Sequence, residues 1–391
     1  MAQPLTRRSF AALLGAARLN AGESATSYWN TQRRGANCFN HAPDSEWLAA
    51  ARSKSIRLAR LAPDKWKPAQ RDFLIGDADR YTSIPPADLE LLVRFLDAAD
   101  RHGMGVVLTM LSLPGARWRQ LNAGRDDARL WRDLRFRDQS CRFWAQLAAA
   151  LKGHSAIAGF DLLNEPHPER AFGVDSFRTP ELASIQDRMR GTPADLNAFY
   201  RALHAAVRSV DEKVPVIFES GLYATPWTLP YLSPVPDPNT LYSFHMYEPY
   251  EYTTRRLNRG RLRYPGVMTI EGRESAWNRD ALREFLDPVV QWQRLHELNS
   301  NRIFAAEFGC SRTVPGVAQY LEDCVSIFEE QAWHWAFYAF REDGWPEMDY
   351  ELGTGPLGDS YWKAVDSGNK PALKRSDEPL FSIFLKRLVK P

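Results

Sequence analysis

The sequence predicts an α/β fold, a single (β/α)8 or TIM barrel, and two observations carry that expectation. Along the 391 residues, eight apolar or β-branched runs of strand length recur, each followed by a loop and a segment of helical period. No G-x-G-x-x-G or Walker-type loop accompanies them, so a closed parallel barrel is favoured over an open nucleotide-binding sheet.

In chain order the expected strands are Gly35 to Phe39, Ser55 to Leu61, Gly105 to Leu111, Ile157 to Leu163, Val214 to Glu219, Leu241 to Met246, Ile303 to Glu307 and Trp335 to Phe340. Pro85-Pro86 opens a helix through Leu89, Leu92, Phe95, Leu96 and Ala99 that stops at His102-Gly103. Thr192-Pro193-Ala194-Asp195 reads as an N-cap, a first-turn proline and an acid, leading into the apolar face Leu196, Phe199, Leu203, Val207 and Val210. Two stretches without an obvious helix, Pro168 to Gly191 and Tyr250 to Trp277, follow the fourth and sixth strands. Such βα loops build the rim of a barrel's active-site face.

The division expected is residues 1–30 as an N-terminal segment and 31–391 as one catalytic barrel, since no linker or low-complexity tract interrupts the latter. Thr6-Arg7-Arg8-Ser9-Phe10 before an alanine- and leucine-rich run has the shape of a twin-arginine export signal, which implies a secreted or periplasmic protein, with a cytoplasmic one as the alternative. A net charge of +2 with both signs scattered along the chain gives no basic stripe for nucleic acid. No apolar run is long enough to span a membrane. A monomer is expected. The cysteines Cys38, Cys141, Cys310 and Cys324 include no C-x-x-C pair and leave free thiols or disulfides open. No metal or other cofactor is expected.

Chemistry concentrates at two strand ends. Ile157 to Leu163 is an apolar run that stops at Asn164-Glu165-Pro166, and Ile303 to Ala306 stops at Glu307. Barrel enzymes place catalytic groups at strand C-termini. Two carboxylates facing each other there suit glycoside hydrolysis, Glu165 as acid/base and Glu307 as nucleophile, and make an oligo- or polysaccharide the expected partner. Aromatic rings present apolar faces to sugars, and Trp118, Trp131, Trp227, Trp345 and Tyr250 fall in the upper loops.

From about residue 34 to 345 the chain resembles glycoside hydrolase family 5, the cellulase and mannanase family of retaining barrel glycosidases. The resemblance rests on Arg34-Gly35-Ala36-Asn37, Ile56-Arg57-Leu58, Asn164-Glu165-Pro166, Ser243-Phe244-His245-Met246-Tyr247-Glu248-Pro249 and Ala306-Glu307-Phe308-Gly309. It implies that Arg57 bonds the nucleophile, with Arg60 a rival for the role. Asn164 would hold the sugar 2-hydroxyl, and His245 and Tyr247 would line the reacting subsite. Two departures stand out. Leu111 occupies the place of a third-strand histidine, and Tyr338 is the closest match to the tryptophan that floors the site, a platform that Trp345 could replace. A non-catalytic carbohydrate-binding barrel and a metal-dependent barrel hydrolase are the competing expectations. The latter needs clustered ligands at several strand ends, where only His245 is evident.

Overall fold

The computed structural model describes residues 25–66, 72–270, 272–369 and 373–389. The double-arginine segment lies outside these residues. Eight parallel strands close into a barrel: β1 (Arg34–Cys38), β2 (Leu58–Leu61), β3 (Gly105–Thr109), β4 (Ile157–Asp161), β5 (Val216–Glu219), β6 (Thr240–Met246), β9 (Ile303–Phe308) and β10 (His334–Phe337). A separate antiparallel hairpin, β7 (Gly266–Ile270) and β8 (Arg273–Trp277), occupies part of the long connection after β6. The barrel order is β1-β10-β9-β6-β5-β4-β3-β2.

Every barrel strand is buried along nearly its whole length, because helices cover the outside and side chains fill the inside. At the N-terminal end the interior holds Leu58, Val107, Ala158, Ile217, Leu241, Phe304, Ala306 and Ala336, packed against Trp29. The Trp29 indole donates to the Ala158 carbonyl at 2.8 Å and meets the rings of Phe304 and His334. The chain just before the first strand thus plugs the bottom of the barrel.

Outside, the helix Pro86–Arg101 buries Leu92, Phe95, Leu96, Ala98 and Ala99, and it ends at Gly103, whose φ of +61° suits glycine. The fourth-unit helix begins later than its sequence suggests. It spans Leu196–Arg208, and Asp195 rather than Thr192 caps it by accepting from the Ala198 N–H at 2.9 Å. Thr192 closes the preceding turn instead, accepting from the Ala194 N–H. The fifth unit has no long helix: Pro226–Tyr231 forms a 3-10 segment with Pro230 inside it, where a proline stops helix propagation. The stretch from Pro168 to Gly191 does hold structure, a 3-10 turn Pro168–Phe172 and a helix Leu182–Met189. All four cysteines are free thiols, three of them buried.

Candidate active site

Above the apolar plug, strand alternation turns a layer of polar side chains into the barrel mouth. Asn37 comes from β1, Arg60 from β2, Thr109 from β3, Asp161 from β4, Glu219 from β5, His245 from β6 and Glu307 from β9. All seven are buried. A register shift between Phe244 and His245 sets His245 opposite Glu307.

Arg60 is the hub. Its guanidinium donates to Glu307 Oε1 at 2.6 Å, Glu219 Oε1 at 2.6 Å, Asp161 Oδ2 at 2.8 Å, Asn164 Oδ1 at 2.9 Å and Asn37 Oδ1 at 3.1 Å. Arg57, which the family motif pointed to, lies exposed before β2 begins, so it is not the arginine at Glu307. Side chains alternate between faces of a strand. Arg60 shares the inward face with Leu58, and Arg57 has the opposite parity.

Glu307 also accepts from the Tyr247 hydroxyl at 2.8 Å on Oε2. A guanidinium on one oxygen and a phenol on the other suit a carboxylate that must remain ionised and fixed. Glu165 sits at the end of β4 with φ of +49°, an uncommon value for a glutamate, and its backbone N–H donates to Glu219 Oε2 at 2.6 Å. Its carboxyl, still 18% exposed, meets His245 Nδ1 at 3.1 Å. Burial raises the Glu165 pKa against the opposing pull of His245. A raised carboxyl pKa is what a general acid needs.

His245 bridges two carboxylates, Glu165 through Nδ1 and Glu219 through Nε2, each at 3.1 Å. Burial favours the neutral ring, but Glu219 and Glu307 outweigh it and push the pKa up to about 10. His245 is therefore an imidazolium at neutral pH that donates from both nitrogens. Glu219 is its counter-ion: burial opposes ionisation, yet His245 and Arg60 pull its pKa down to about 2. Burial and then Glu219 push the Asp161 carboxyl well above the usual carboxylate range, against the pull of Arg60. Glu219 and Asp161 were missed by sequence reasoning. The available signal was the isolated carboxylate closing the run from Val214, the same design that drew attention to Glu307.

Asn164 Oδ1 is taken by Arg60, which leaves the Nδ2 donor for a ligand. Tyr338 follows β10, with its ring edge against Phe39 at 5.4 Å and against Trp345 at 6.2 Å. Leu111 packs in the same apolar cluster as Phe39, Ala62, Tyr338, Ala339 and Met348. The two positions that depart from the family pattern therefore adjoin and form one apolar wall beside the site. Trp345 is 42% exposed above it. A cleft of about 590 Å³ opens past Glu165 and His245 among the loops after β3, β4, β5 and β6, with Leu111, Trp118, Trp131 and Tyr250 in its lining. Trp227 is not among its lining residues. Among the described residues, Glu165, His245 and Glu307 each bring one potential metal-ligating atom within 4.8 Å of the others. Both nitrogens of His245 serve carboxylates, so this ring offers no free lone pair to a cation.

The family model for cellulase, glycosyl hydrolase family 5, matches residues 22–344. The chain belongs to glycosyl hydrolase family 5. Relatives of this hydrolase include a β-xylosidase of Phanerodontia chrysosporium, 22% identical over 333 residues that make up 79% of the chain and 62% of the relative. Endoglucanase C of Acetivibrio thermocellus is 20% identical over 85% of the chain and 92% of its own length. The barrel also superposes on Cel5A of Thermotoga maritima, crystallised with mannotriose, with a TM-score of 0.61 and 15% identity over 94% of this chain and all of that one. The chain thus spans 62% of the β-xylosidase but most of the endoglucanase. No described helix is long and apolar enough to cross a membrane.

Proposed function

We propose that this family 5 hydrolase cleaves β-glycosidic bonds of a glucan, mannan or related saccharide with retention, Glu307 acting as nucleophile and Glu165 as acid/base. One observation carries the reading: the two carboxylates face each other with one oxygen of each within 4.8 Å of the other. That is close to the 5 to 5.5 Å of retaining enzymes, whereas inverting pairs stand roughly 6.5 to 9.5 Å apart to admit a water.

In the first half-reaction Glu307 attacks the anomeric carbon while Glu165 gives its proton to the departing oxygen. A glycosyl ester of Glu307 forms. In the second, Glu165 takes a proton from water, which opens the ester and restores both groups. Arg60 and Tyr247 hold the nucleophile on its line of attack. Asn164, His245 and Tyr247 surround the sugar at the reacting centre, and Tyr338 with Trp345 borders it. The endoglucanase and mannotriose-bound relatives support β-glucans and β-mannans as the substrates to try first. Export to the periplasm or beyond is the accompanying proposal, checked by cell fractionation.

The test is reducing-sugar release from β-glucans, β-mannans and aryl β-glycosides by wild type, Glu165→Ala and Glu307→Ala. Loss of Glu307 is expected to lower kcat about 10³-fold or more, with turnover unaffected by chelator. Activity that survives in Glu307→Ala refutes the nucleophile assignment, and a strict requirement for a divalent ion refutes the metal-free reading.

A further inference from the structure

A second opening lies beside the first and last strands of the barrel. It is a groove of about 1020 Å³, bordered by the segments that follow β1 and β10, by the helix Ser45–Ser53 and by the helix Asp359–Asp366. In the barrel order β1 and β10 are neighbours, and β5 and β4 lie across from them. No residue lines both this groove and the cleft that holds Glu165 and His245. The two bordering loops are locked together. Asp343 accepts from the His41 N–H at 3.1 Å, and the His41 ring meets the same carboxylate at 2.8 Å. A β-carbon at Gly344 would lie 2.6 Å from His41 Cε1, so the loops meet closely only with a glycine there. The inner wall of the groove is therefore preformed.

Two features of the lining call for a ligand. Asn40 and Glu342 are each 5% exposed, yet Asn40 Oδ1 and Glu342 Oε2 find no hydrogen-bond partner among the described residues. Buried acceptors are nearly always paired, and one left unpaired costs stability. The other oxygen of Glu342 accepts from Lys65 at 2.7 Å, which fixes the carboxylate in place. The second feature is aromatic. The helix Asp359–Asp366 buries none of its residues, and its Trp362, 41% exposed, stands perpendicular to Tyr361 with centroids 5.0 Å apart, both rings lining the groove. The surroundings narrow what can bind. Arg341 is committed to Glu351 and Arg375 to Asp349, so neither guanidinium of the lining is held out for an anion. Among the described residues, three metal-ligating side chains converge only at Glu165, His245 and Glu307, so the acids of the groove form no cation cage. Hydroxyl groups supply the donors that the two acceptors lack, and the C–H face of a pyranose covers an indole.

We propose that this groove is a second, non-catalytic saccharide site that takes a neutral oligosaccharide segment, Asn40 Oδ1 and Glu342 Oε2 accepting from its hydroxyls and Trp362 supplying the stacking face. The choice of a saccharide rests in part on the glycosidase reading above. The groove is larger than the catalytic cleft and stands at the upper end of the roughly 300 to 1,000 Å³ usual for ligand sites, which gives room for more than one sugar ring. A polysaccharide held here keeps its cleavable bonds concentrated near the cleft without touching the reacting groups.

The experiment titrates Glu307→Ala, which lacks the proposed nucleophile, with cellohexaose, mannohexaose, hexagalacturonate and calcium chloride in a calorimeter. Two binding events are expected for a neutral hexasaccharide. Adding Trp362→Ala or Asn40→Ala weakens one of them about tenfold and leaves the other unchanged. With Glu307 intact, Trp362→Ala keeps turnover of an aryl β-glycoside within about twofold of wild type, while KM for a long polysaccharide rises about threefold or more. Thermal melts report folding, and Trp362→Ala remains decisive if Asn40→Ala fails to fold, because its helix buries no residue. A single binding event, two events that Trp362→Ala leaves unchanged, heat from calcium or hexagalacturonate alone, or aryl β-glycoside turnover lost in Trp362→Ala overturns the proposal. The two readings fail separately. Trp362-dependent binding by a wild type that cleaves no glucan, mannan or aryl β-glycoside sinks the glycosidase reading and supports the groove, whereas cleavage without a Trp362-dependent event sinks the groove alone.

Discussion

Arg57 and Arg60 stand three residues apart in one segment, and only one of them reaches the chemistry. Arg60 is wholly buried among five acceptor side chains besides Glu307. Arg57 is exposed and lower on the barrel by about 10 Å at the usual strand rise. Arg57→Ala is expected to leave kcat/KM within about twofold of wild type, as surface changes do. Arg60→Lys removes the planar fork, and a single ammonium cannot reach all six partners. Initial rates on an aryl β-glycoside should fall about 10²- to 10³-fold. Equal effects of the two substitutions would return the role to Arg57. The strand-end pairs at Glu165 and Glu307 were readable because an apolar run stops abruptly at a carboxylate inside a recognisable motif. Glu219 ends its strand just as abruptly, but no motif flanks it, and only the folded barrel reveals that it faces Arg60 and His245. For Glu219→Gln the expected outcome depends on the leaving group. Substrates with a sugar leaving group slow about 100-fold, because Glu165 loses the acceptor of its backbone N–H. Dinitrophenyl glycosides, which need no protonation, slow far less, and equal slowing of both would reduce Glu219 to a merely structural part.

At the scale of elements, the eight strands were legible from apolar runs, since a strand buried on both faces has no polar alternation to mislead the reader. Their connections were less so. The fifth lacks its helix because Pro226 and Pro230 punctuate it, and the hairpin Gly266–Ile270 with Arg273–Trp277 is mostly solvent-exposed, which weakens its apolar pattern. The end of β3 rests on a contact that no local pattern announces. Asp64, after β2, accepts from the backbone N–H groups of Leu111 and Ser112 at 3.1 and 3.0 Å. Burial raises its pKa to about 7 despite those bonds. The unfolded chain releases this proton near pH 4, whereas the folded chain keeps it until about pH 7. The contribution is thus fully present below the unfolded value and is lost as pH rises through the folded one. Urea melts should show the stability advantage of wild type over Asp64→Asn shrinking by a few kcal/mol between pH 4 and pH 8. A gap that is constant or widens with pH would show that Asp64 is ionised throughout.

Across the whole molecule, the barrel separates stability from chemistry along its axis. At the mouth, Arg60 pairs with Glu219 and Glu307, His245 bridges Glu165 and Glu219, and burial raises the pKa of the Glu165 and Asp161 carboxyls. On the proposed mechanism, the charge that Glu307 loses as an ester is the charge that Glu165 gains on giving up its proton, so the buried layer keeps the same charge in both half-reactions. At the opposite end Trp29 closes the interior, 4% exposed, with its indole N–H on the Ala158 carbonyl. It touches no residue of the polar layer. Just before it, the short helix Ala25–Tyr28 brings Tyr28 against the same plug. Trp29→Ala leaves a cavity among Leu58, Phe304 and Ala336 and an unpaired carbonyl. The cost expected from large-to-small core changes is about 3 to 5 kcal/mol, read as a lower midpoint in chemical denaturation. At temperatures where the variant remains folded, kcat should match wild type, because bottom-face residues of a barrel serve stability and top-face residues serve catalysis. A fall in kcat with unchanged stability would mean that the two ends of the barrel are coupled. The same plug bears on export: N-terminal sequencing of a secreted form should place any processing site before Trp29, since cleavage beyond it would remove the closure of the barrel.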